Sequence, residues 1–165
     1  MVKNNKVGEI LKKVLFISST GGHLNELLQL SKSFDKYNSY IITEKTKSTI
    51  NLKEKYGKKI SFLKYGTKSH LSYIYIFPWN CIKSIFYFIK IRPNVIVTTG
   101  AQTAVFMCYL AKLFRKKIIY IETFANIETK SMSGKLVYPI ADIFVVQWES
   151  MLKLYPKAVY WGWVF

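Results

Sequence analysis

Short, nearly all-apolar runs recur along the chain, and a glycine turn follows several of them. Residues 14–18 read VLFIS and precede Gly21 and Gly22, and residues 95–99 read VIVTT and precede Gly100. Runs of this length and composition are typical of strands that are buried on both faces of a parallel sheet. Each turn is followed by a helical pattern, so both stretches predict a strand, a turn and a helix in succession.

The same alternation continues along the chain. Helical periodicity is predicted over residues 23–34, 103–114 and 149–155. Further strands are predicted at residues 40–43, 60–63, 117–121, 142–146 and 158–161. Strands that alternate with helices through short connections predict an α/β fold built on a Rossmann-like parallel sheet.

The length of 165 residues predicts one domain, with an N-terminal extension at residues 1–12 and a single domain at residues 13–165. The first residues hold no apolar run of the length that a signal peptide needs, so a cytosolic chain is expected. Cys81 and Cys108 stand apart, without a CxxC pair. Isolated cysteines with apolar neighbours are typical of core positions in a reducing compartment.

The formal net charge of +16 predicts an anionic partner. No Asp or Glu occurs between Glu54 and Glu122, a stretch that is also rich in aromatic residues and isoleucine. A segment that is both basic and apolar fits an anionic membrane surface better than it fits DNA.

Residues 71–91 form the most apolar segment. The lysines within it disfavour a spanning helix, because a lysine near the bilayer centre costs about 2.5–3.5 kcal/mol. A helix beginning at Pro78 separates an apolar stripe from a basic one. It would contact the membrane through Trp79, Lys83, Phe86 and Lys90. The alternative is an ordinary helix that packs its apolar stripe on the sheet.

Three polar motifs follow predicted strands, where ligands of open α/β sheets bind. In the first, residues 18–23, Gly21 and Gly22 allow a ligand to approach the backbone, and His23 in the first helical turn can act as a neutral base. The second is residues 98–103. In the third, Glu122 follows an apolar strand, so it needs a partner or a function. The alternatives are a tight turn for the glycines, and a helix cap or an ion pair with lysine for Glu122.

Three stretches together carry a resemblance to known proteins. They are STGGHLNELLQL, VIVTTGAQTAV and IIYIETFANIETKSMSGKLVYPIADIFVVQWESMLKLYPKAVYWG. The chain resembles the accessory glycosyltransferase subunits of bacterial capsule and exopolysaccharide synthesis (the PssD/CpsF type). It is also similar to the fourteenth asparagine-linked-glycosylation (ALG) protein, the membrane-anchoring subunit of the eukaryotic transferase that adds the second N-acetylglucosamine to dolichol-linked chitobiose. The likeness runs from Lys13 to the C-terminus.

The resemblance implies the N-terminal, acceptor-binding half of a GT-B glycosyltransferase that is divided between two chains. It carries over His23, Glu26 and Glu122, of which His23 and Glu122 are assigned to catalysis. The substrate-binding residues expected at the same edge are Gly21, Gly22, Glu26, Thr99, Gly100, Gln102, Thr103 and Thr123. The eukaryotic relatives have an N-terminal transmembrane anchor that residues 1–12 cannot form, so peripheral attachment to the cytoplasmic face of the membrane is expected.

The predicted function is therefore that of a membrane-associated, non-catalytic subunit in capsular or exopolysaccharide synthesis. It would bind a lipid-pyrophosphate-linked acceptor and recruit a catalytic partner that binds the UDP-sugar. No metal or other cofactor is expected, since the chain has no Asp-x-Asp pair. One alternative is a small stand-alone UDP-sugar transferase. The other is a nucleic-acid module whose aromatic residues stack bases, but no such motif is recognised and no nucleic acid is expected.

The last six residues, YWGWVF, include four aromatic residues and no charge. Residues 158–161 are predicted to complete the sheet, and beyond Gly162 the chain is expected to turn toward the missing second domain. The resemblance implies that the C-terminal end contacts the catalytic partner. Trp163 and Phe165 are the predicted anchors, because aromatic residues dominate interface hot spots.

Overall fold

Seven parallel strands form one sheet in the computed structural model, which describes residues 11–66 and 71–164. The strands are β1 Lys13–Ser18, β2 Asn38–Lys45, β3 Ile60–Lys64, β4 Val95–Gly100, β5 Lys117–Ile121, β6 Ile143–Val146 and β7 Val159–Tyr160. The α-helices are α1 Gly22–Gln29, α2 Ser31–Phe34, α3 Leu52–Tyr56, α4 Tyr73–Ile91, α5 Gln102–Leu113 and α6 Met132–Val137. Two short 3₁₀ helices lie at Gly57–Lys59 and Glu149–Lys153.

The order of the strands places a switch point in the middle of the sheet. The order is β3-β2-β1-β4-β5-β6-β7, and every neighbouring pair is parallel. The chain first runs outward from β1 to β3, returns through α4 to β4, and then runs outward to β7. Ligands of such sheets bind beyond the carboxyl ends of the strands at this reversal. The predicted Rossmann-like parallel sheet is confirmed.

Each face of the sheet has its own core. Leu15 and Ile17 of β1 face a core that includes buried side chains of α4, α5 and α6. Val14 and Phe16 face the opposite core, beneath α1 and α2. The residues of β1 are therefore buried on both sides, which explains why its sequence is a continuous apolar run without alternation.

The prediction of a single helix over residues 23–34 is wrong, because the structure has two helices there: α1 ends at Gln29 and α2 begins at Ser31. The backbone N–H of Leu30 bonds to the carbonyl of Leu27 and so tightens the last turn of α1. The chain then turns, and Phe34 is directed into the core beneath the sheet.

The predicted start of α4 at Pro78 is also wrong, because the helix begins at Tyr73. Pro78 lies inside it and lacks the N–H that would bond to the preceding turn. Contacts with distant residues hold the helix on both sides of the proline. Tyr73 Oη donates to Gln102 Oε1 at 3.2 Å. The Asn80 side chain pairs with both backbone groups of Lys64, at 2.9 and 2.8 Å.

Candidate functional site

Polar side chains collect at the carboxyl edge of the sheet, around the switch point, and we call this surface the polar edge. Glu44 lies near the end of β2, Glu122 directly follows β5, Gln147 directly follows β6, and Glu26 reaches them from α1. All four are buried. In the described part of the chain, no lysine or arginine lies within ion-pair distance of these three glutamates. Their carboxylates are therefore held by neutral hydrogen-bond donors, although the chain is strongly basic.

Hydrogen bonds to Glu26 connect α1 to the two loops that follow β5 and β6. Its Oε1 accepts from Thr123 Oγ1 at 2.7 Å and from the backbone N of Phe124 at 3.2 Å. Its Oε2 lies 3.5 Å from Gln147 Nε2. Burial raises the pKa of Glu26, and the hydrogen bonds and the nearby His23 oppose this rise. The structure thus brings Glu26 and Thr123 together, as members of one buried network.

The free energy of unfolding of Glu26→Gln, relative to that of the wild type, is expected to increase as the pH rises. A carboxyl whose pKa is raised on folding binds its proton more tightly in the folded state. The free energy of unfolding therefore falls as the pH rises from the ordinary value of 4.5 through the folded pKa. The neutral amide does not have this loss. Urea unfolding of the purified variant at several pH values measures the difference from wild type, with the exposed Glu54→Gln as control. A difference that is constant with pH would contradict the expectation.

Glu122 is held entirely by the protein interior. Its side chain is 1% exposed, its Oε2 accepts from Tyr155 Oη at 2.8 Å, and its Oε1 accepts from the backbone N of Thr123 at 3.0 Å. Burial and the Glu122 carboxylate raise the pKa of Tyr155, which keeps this phenol protonated as the donor. The partners are thus a phenol and a backbone amide, not a lysine. This geometry favours a positioning role, and the assignment of Glu122 to catalysis stays a prediction.

Gly134 in α6 packs directly against this carboxylate. A Cβ placed on Gly134 would overlap Glu122 Oε2 and would lie 2.5 Å from Tyr155 Oη. Ser131, the N-cap of α6, accepts from the backbone N of Gly134 at 2.8 Å. Contact between α6 and the polar edge therefore requires a glycine at this position.

His23 lies between the ends of β1 and β4. Thr99 Oγ1 donates to the His23 carbonyl at 2.6 Å. Gly100 has a φ of +98°, and a Cβ there would lie 3.4 Å from His23 Cε1 and 3.0 Å from Ser133 Oγ. The predicted residues His23, Thr99 and Gly100 are thus neighbours, and Ser133 of α6 joins them.

The N-terminus of α1 faces open space. Gly21 and Gly22 have no heavy atom within 4 Å of the position that a Cβ would occupy, apart from their chain neighbours. The buried atoms Ser18 Oγ and His23 Nδ1 have no hydrogen-bond partner among the described residues. Backbone N–H groups at a helix N-terminus favour anions. The polar edge therefore offers an anion the backbone N–H groups at the start of α1, beside two buried polar atoms that have no partner among the described residues.

Gln102 and Thr103 lie on the other side of the switch point. Thr103 Oγ1 donates to Glu44 Oε1 at 2.6 Å, and the backbone N of Thr20 lies 3.3 Å from Glu44 Oε2. Gln102 accepts from Tyr73 of α4, as described above. These two predicted residues thus connect the polar edge to β2 and to α4.

Sequence reasoning missed Glu44, Gln147, Ser133 and Tyr155. Glu44 and Gln147 carry the signal that identified Glu122, since each is a carboxylate or amide at the end of an apolar run. Ser133 and Tyr155 have no local signal, because their partners lie 13 and 33 positions away along the chain.

The apolar stripe of α4 faces outward, and we call it the α4 face. It consists of Trp79, Ile82, Ile85, Phe86 and Ile89, which are 40–62% exposed. Packing of this stripe on the sheet, the alternative left open by the sequence, is therefore wrong, because α4 buries Ser84, Phe88 and Ile91 instead.

Lysines surround the aromatic rings of the α4 face. Lys64 and Lys83 lie 4.8 and 5.5 Å from the centre of the Trp79 ring, and Lys83 and Lys90 lie 5.9 and 5.8 Å from that of Phe86. The face therefore combines exposed apolar rings with a basic margin. Within residues 11–66 and 71–164, no helix is both long enough and apolar enough to cross a bilayer.

The segment after β7 returns to the polar edge. Gly162 has a φ of +73°, and beyond it the backbone N of Val164 donates to Gln147 Oε1 at 3.0 Å. The Trp163 ring lies 5.4 Å from the rings of both Phe124 and Trp148, yet it remains 60% exposed. Phe165, the second predicted anchor, lies outside the described residues.

A comparison with protein families gives a match over nearly all of the chain. The family described as "Oligosaccharide biosynthesis protein Alg14 like" matches residues 14–164. The chain belongs to the Alg14 family. It is 31% identical to the UDP-N-acetylglucosamine transferase subunit alg14 of Schizosaccharomyces pombe, over 98% of this chain and 87% of that protein. It is 27% identical to the subunit ALG14 of Homo sapiens, over 90% of this chain and 81% of that protein.

Solved structures agree on the fold of this Alg14-family chain. Acinetobacter baumannii MurG matches with a TM-score of 0.66 and 13% identity, over 84% of this chain and 42% of that one. The UDP-N-acetylglucosamine 2-epimerase of Rickettsia bellii matches with a TM-score of 0.70 and 16% identity, over 93% and 45%. The chain thus spans less than half the length of these two proteins. At these identities the likeness concerns the fold alone, and it confirms the predicted half of a GT-B architecture.

Proposed function

We propose that this chain is the acceptor-binding, membrane-associated subunit of a two-component UDP-N-acetylglucosamine transferase. Its relatives are named as subunits of a UDP-N-acetylglucosamine transferase. The observation that carries the proposal is the position of the polar edge beside the exposed, lysine-flanked α4 face. A lipid-linked acceptor has a charged head group and a hydrocarbon chain, and this surface offers a place for each.

In this proposal the acceptor head group lies over the N-terminus of α1. The open space at Gly21 and Gly22 lets phosphate oxygens reach the backbone N–H groups, where the helix dipole favours negative charge. His23 borders the same space and is the group we assign to a sugar hydroxyl of the acceptor. Glu122 and Glu26 do not contact the acceptor in this proposal, because their oxygens accept hydrogen bonds from Tyr155 and Thr123. They position the residues around the site.

The partner that binds the nucleotide sugar is a separate chain in this proposal. Such a partner would close over the carboxyl edge of the sheet, since two-domain transferases bind their substrates in the cleft between domains. The chain would attach peripherally, at the cytoplasmic face of the membrane. The capsular or exopolysaccharide setting stays a prediction, because the relatives reported above are eukaryotic.

The purified chain is expected to transfer no sugar alone, and to give activity once its partner is added. The reason is that the proposed donor site belongs to the partner. A pull-down from native membranes supplies that partner. The measurement is the transfer of radiolabelled N-acetylglucosamine from UDP-N-acetylglucosamine to a lipid-linked acceptor. Robust turnover by the isolated chain would overturn the two-component proposal in favour of a stand-alone transferase.

Replacing Trp79 and Phe86 by serine is expected to weaken binding of the chain to anionic vesicles by roughly tenfold, because each ring loses apolar burial in the interface. Replacing Lys83 and Lys90 by glutamate should weaken it further, since each lysine near an anionic surface contributes about 1 kcal/mol. Co-sedimentation with phosphatidylserine vesicles measures both effects.

The matched control for this membrane prediction is Tyr160→Ser with Trp161→Ser, two exposed aromatic residues at the far edge of the sheet. Salt should weaken wild-type binding only in part, because apolar insertion is not screened. If the quadruple α4 variant sediments like the wild type, another surface holds the membrane.

A further inference from the structure

An apolar groove runs between α4, α5 and α6, with a volume of about 290 Å³. Phe77 of α4, Val105 and Tyr109 of α5 and Leu136 of α6 form its walls. Tyr109 Oη donates to the Leu136 carbonyl at 3.1 Å and so fixes α5 against α6. The groove is therefore bounded by three packed helices, not by loops.

Large apolar side chains in this groove remain open to solvent. Phe77, Tyr109 and Leu136 are 45%, 46% and 45% exposed. Met132, at the start of α6, is more exposed still. A contiguous exposed apolar surface in a folded protein marks a binding site.

One end of the groove opens at the polar edge. Its two polar lining residues are Ser133 and Gln102. Ser133 Oγ lies 2.9 Å from Tyr120 Oη, and it borders the position of Gly100 that His23 also borders. Phe77, on another wall, belongs to α4, the same helix that carries the α4 face. The groove therefore lies between the surface proposed for the head group and the helix proposed to contact the membrane.

We infer that this groove holds the part of the acceptor's hydrocarbon chain that is nearest its pyrophosphate. The inference rests on the proposed function, because it takes the ligand to be a lipid-linked acceptor. A pyrophosphate over α1 leaves its first chain carbons at Ser133, where the apolar walls begin. The rest of the chain passes along α4 into the membrane.

The distribution of polar residues in the groove favours this occupant over a protein segment. A helix that binds in a groove lays an apolar face along it, whereas the polar residues of this groove, Gln102 and Ser133, lie at the start of α5 and α6, at the polar edge. A polar end followed by apolar walls matches a ligand that has a charged head and a hydrocarbon chain. The volume of about 290 Å³ is at the lower end of the range of ligand pockets, so the groove takes a short length of that chain.

The test is photolabelling of the purified full chain in detergent with a farnesyl pyrophosphate analogue that carries a diazirine on its first isoprene unit. Mass spectrometry is expected to place the label on peptides containing Val105, Tyr109 or Leu136. An excess of unlabelled farnesyl pyrophosphate should remove it. Leu136→Trp and Val105→Phe, which fill the groove from opposite walls, should each reduce labelling roughly tenfold, the loss expected when about two buried methylene groups lose their contacts.

The matched control is Leu113→Trp, a substitution of similar size at an exposed position at the end of α5, which neither lines the groove nor belongs to the α4 face. It should label like the wild type. Two variants are used because Val105 also packs on the core, whereas Leu136 lies at the surface. Label confined to the α4 face, label that excess ligand does not remove, or full labelling of both groove variants would overturn the inference. No partner or transfer reaction is involved, so failure of the proposed transferase activity gives a separate result.

Discussion

Gly134→Ala is expected to destabilise the chain by about 3 kcal/mol, with a fall in Tm of about 6–12 °C for a chain of this length. The added methyl group would overlap the Glu122 carboxylate and would lie 2.5 Å from Tyr155 Oη and 2.8 Å from Ser131 Oγ. Glu122 Oε2 and Tyr155 Oη form a buried hydrogen bond, and Ser131 Oγ caps α6 at the backbone N of Gly134. If the Glu122 carboxylate moves, it loses Tyr155 and is left short of a donor. If α6 moves instead, the contact between Ser133 Oγ and Tyr120 Oη is disturbed.

Gly22→Ala is the matched control for this stability measurement. Gly22 lies in the first turn of α1, and no heavy atom beyond its chain neighbours is within 4 Å of its Cβ position. Alanine is the better helix former there, so this variant should be neutral or more stable by about 0.5–1 kcal/mol. Thermal unfolding of both variants by circular dichroism measures the difference. Equal Tm values for Gly134→Ala and the wild type would show that α6 adjusts without cost, and would weaken the positioning role of Glu122.

The fold could be predicted from the sequence because its signals are local. The apolar runs at residues 14–18 and 95–99 are buried on both faces, so each carries a strand signal that needs no knowledge of its neighbours. The 3₁₀ segment at Glu149–Lys153 was predicted as a longer helix, and α3 and α6 were not predicted. These elements have only five or six residues, and a period of 3.6 cannot be recognised over so few.

Features fixed by long-range contacts could not be predicted. The start of α4 at Tyr73 depends on contacts with Gln102 and Lys64, which no helical pattern encodes. The direction of its apolar stripe was undecided for the same reason, since periodicity shows that a stripe exists but not what it faces. Only the packing of Phe88 and Ile91 on the sheet settles that direction.

The sequence predicted where the candidate site lies, but not the hydrogen-bond partners of its residues. The rule that ligands bind at the carboxyl ends of strands led to His23, Thr99 and Glu122, and the structure places them along one edge. Their bonding was different from what the sequence indicated. Glu122 was considered with a lysine, in view of the excess of positive charge, and its partner is Tyr155. The excess of lysine and arginine therefore predicted the charge of the protein surface, but not the hydrogen-bond partners of its buried glutamates.

Trp163→Ala is expected to abolish capture of the catalytic partner, with a loss of affinity of about 30- to 1,000-fold for a hot-spot residue worth about 2–4 kcal/mol. The Trp163 ring packs beside Phe124 and Trp148, so it is held in place, and it is 60% exposed, so it can be buried by a partner. It also lies at the rim of the polar edge, where a donor-binding chain would close.

The neighbouring residue Trp161 provides the matched control for Trp163→Ala. It is 62% exposed and stands two positions earlier, yet it borders a cavity beside Val14 and Ile119 on the sheet face and not the polar edge. Trp161→Ala should therefore retain the partner. Co-purification of a tagged chain from native membranes compares the two variants, and vesicle binding serves as the check that both are folded, since the α4 face is unchanged. The bond from the backbone N of Val164 to Gln147, and that from Gln147 to Glu26, use no atom of the Trp163 side chain. This buried network should therefore remain intact in the Trp163 variant. Normal capture by Trp163→Ala, or equal losses in both variants, would place the docking surface elsewhere on the chain.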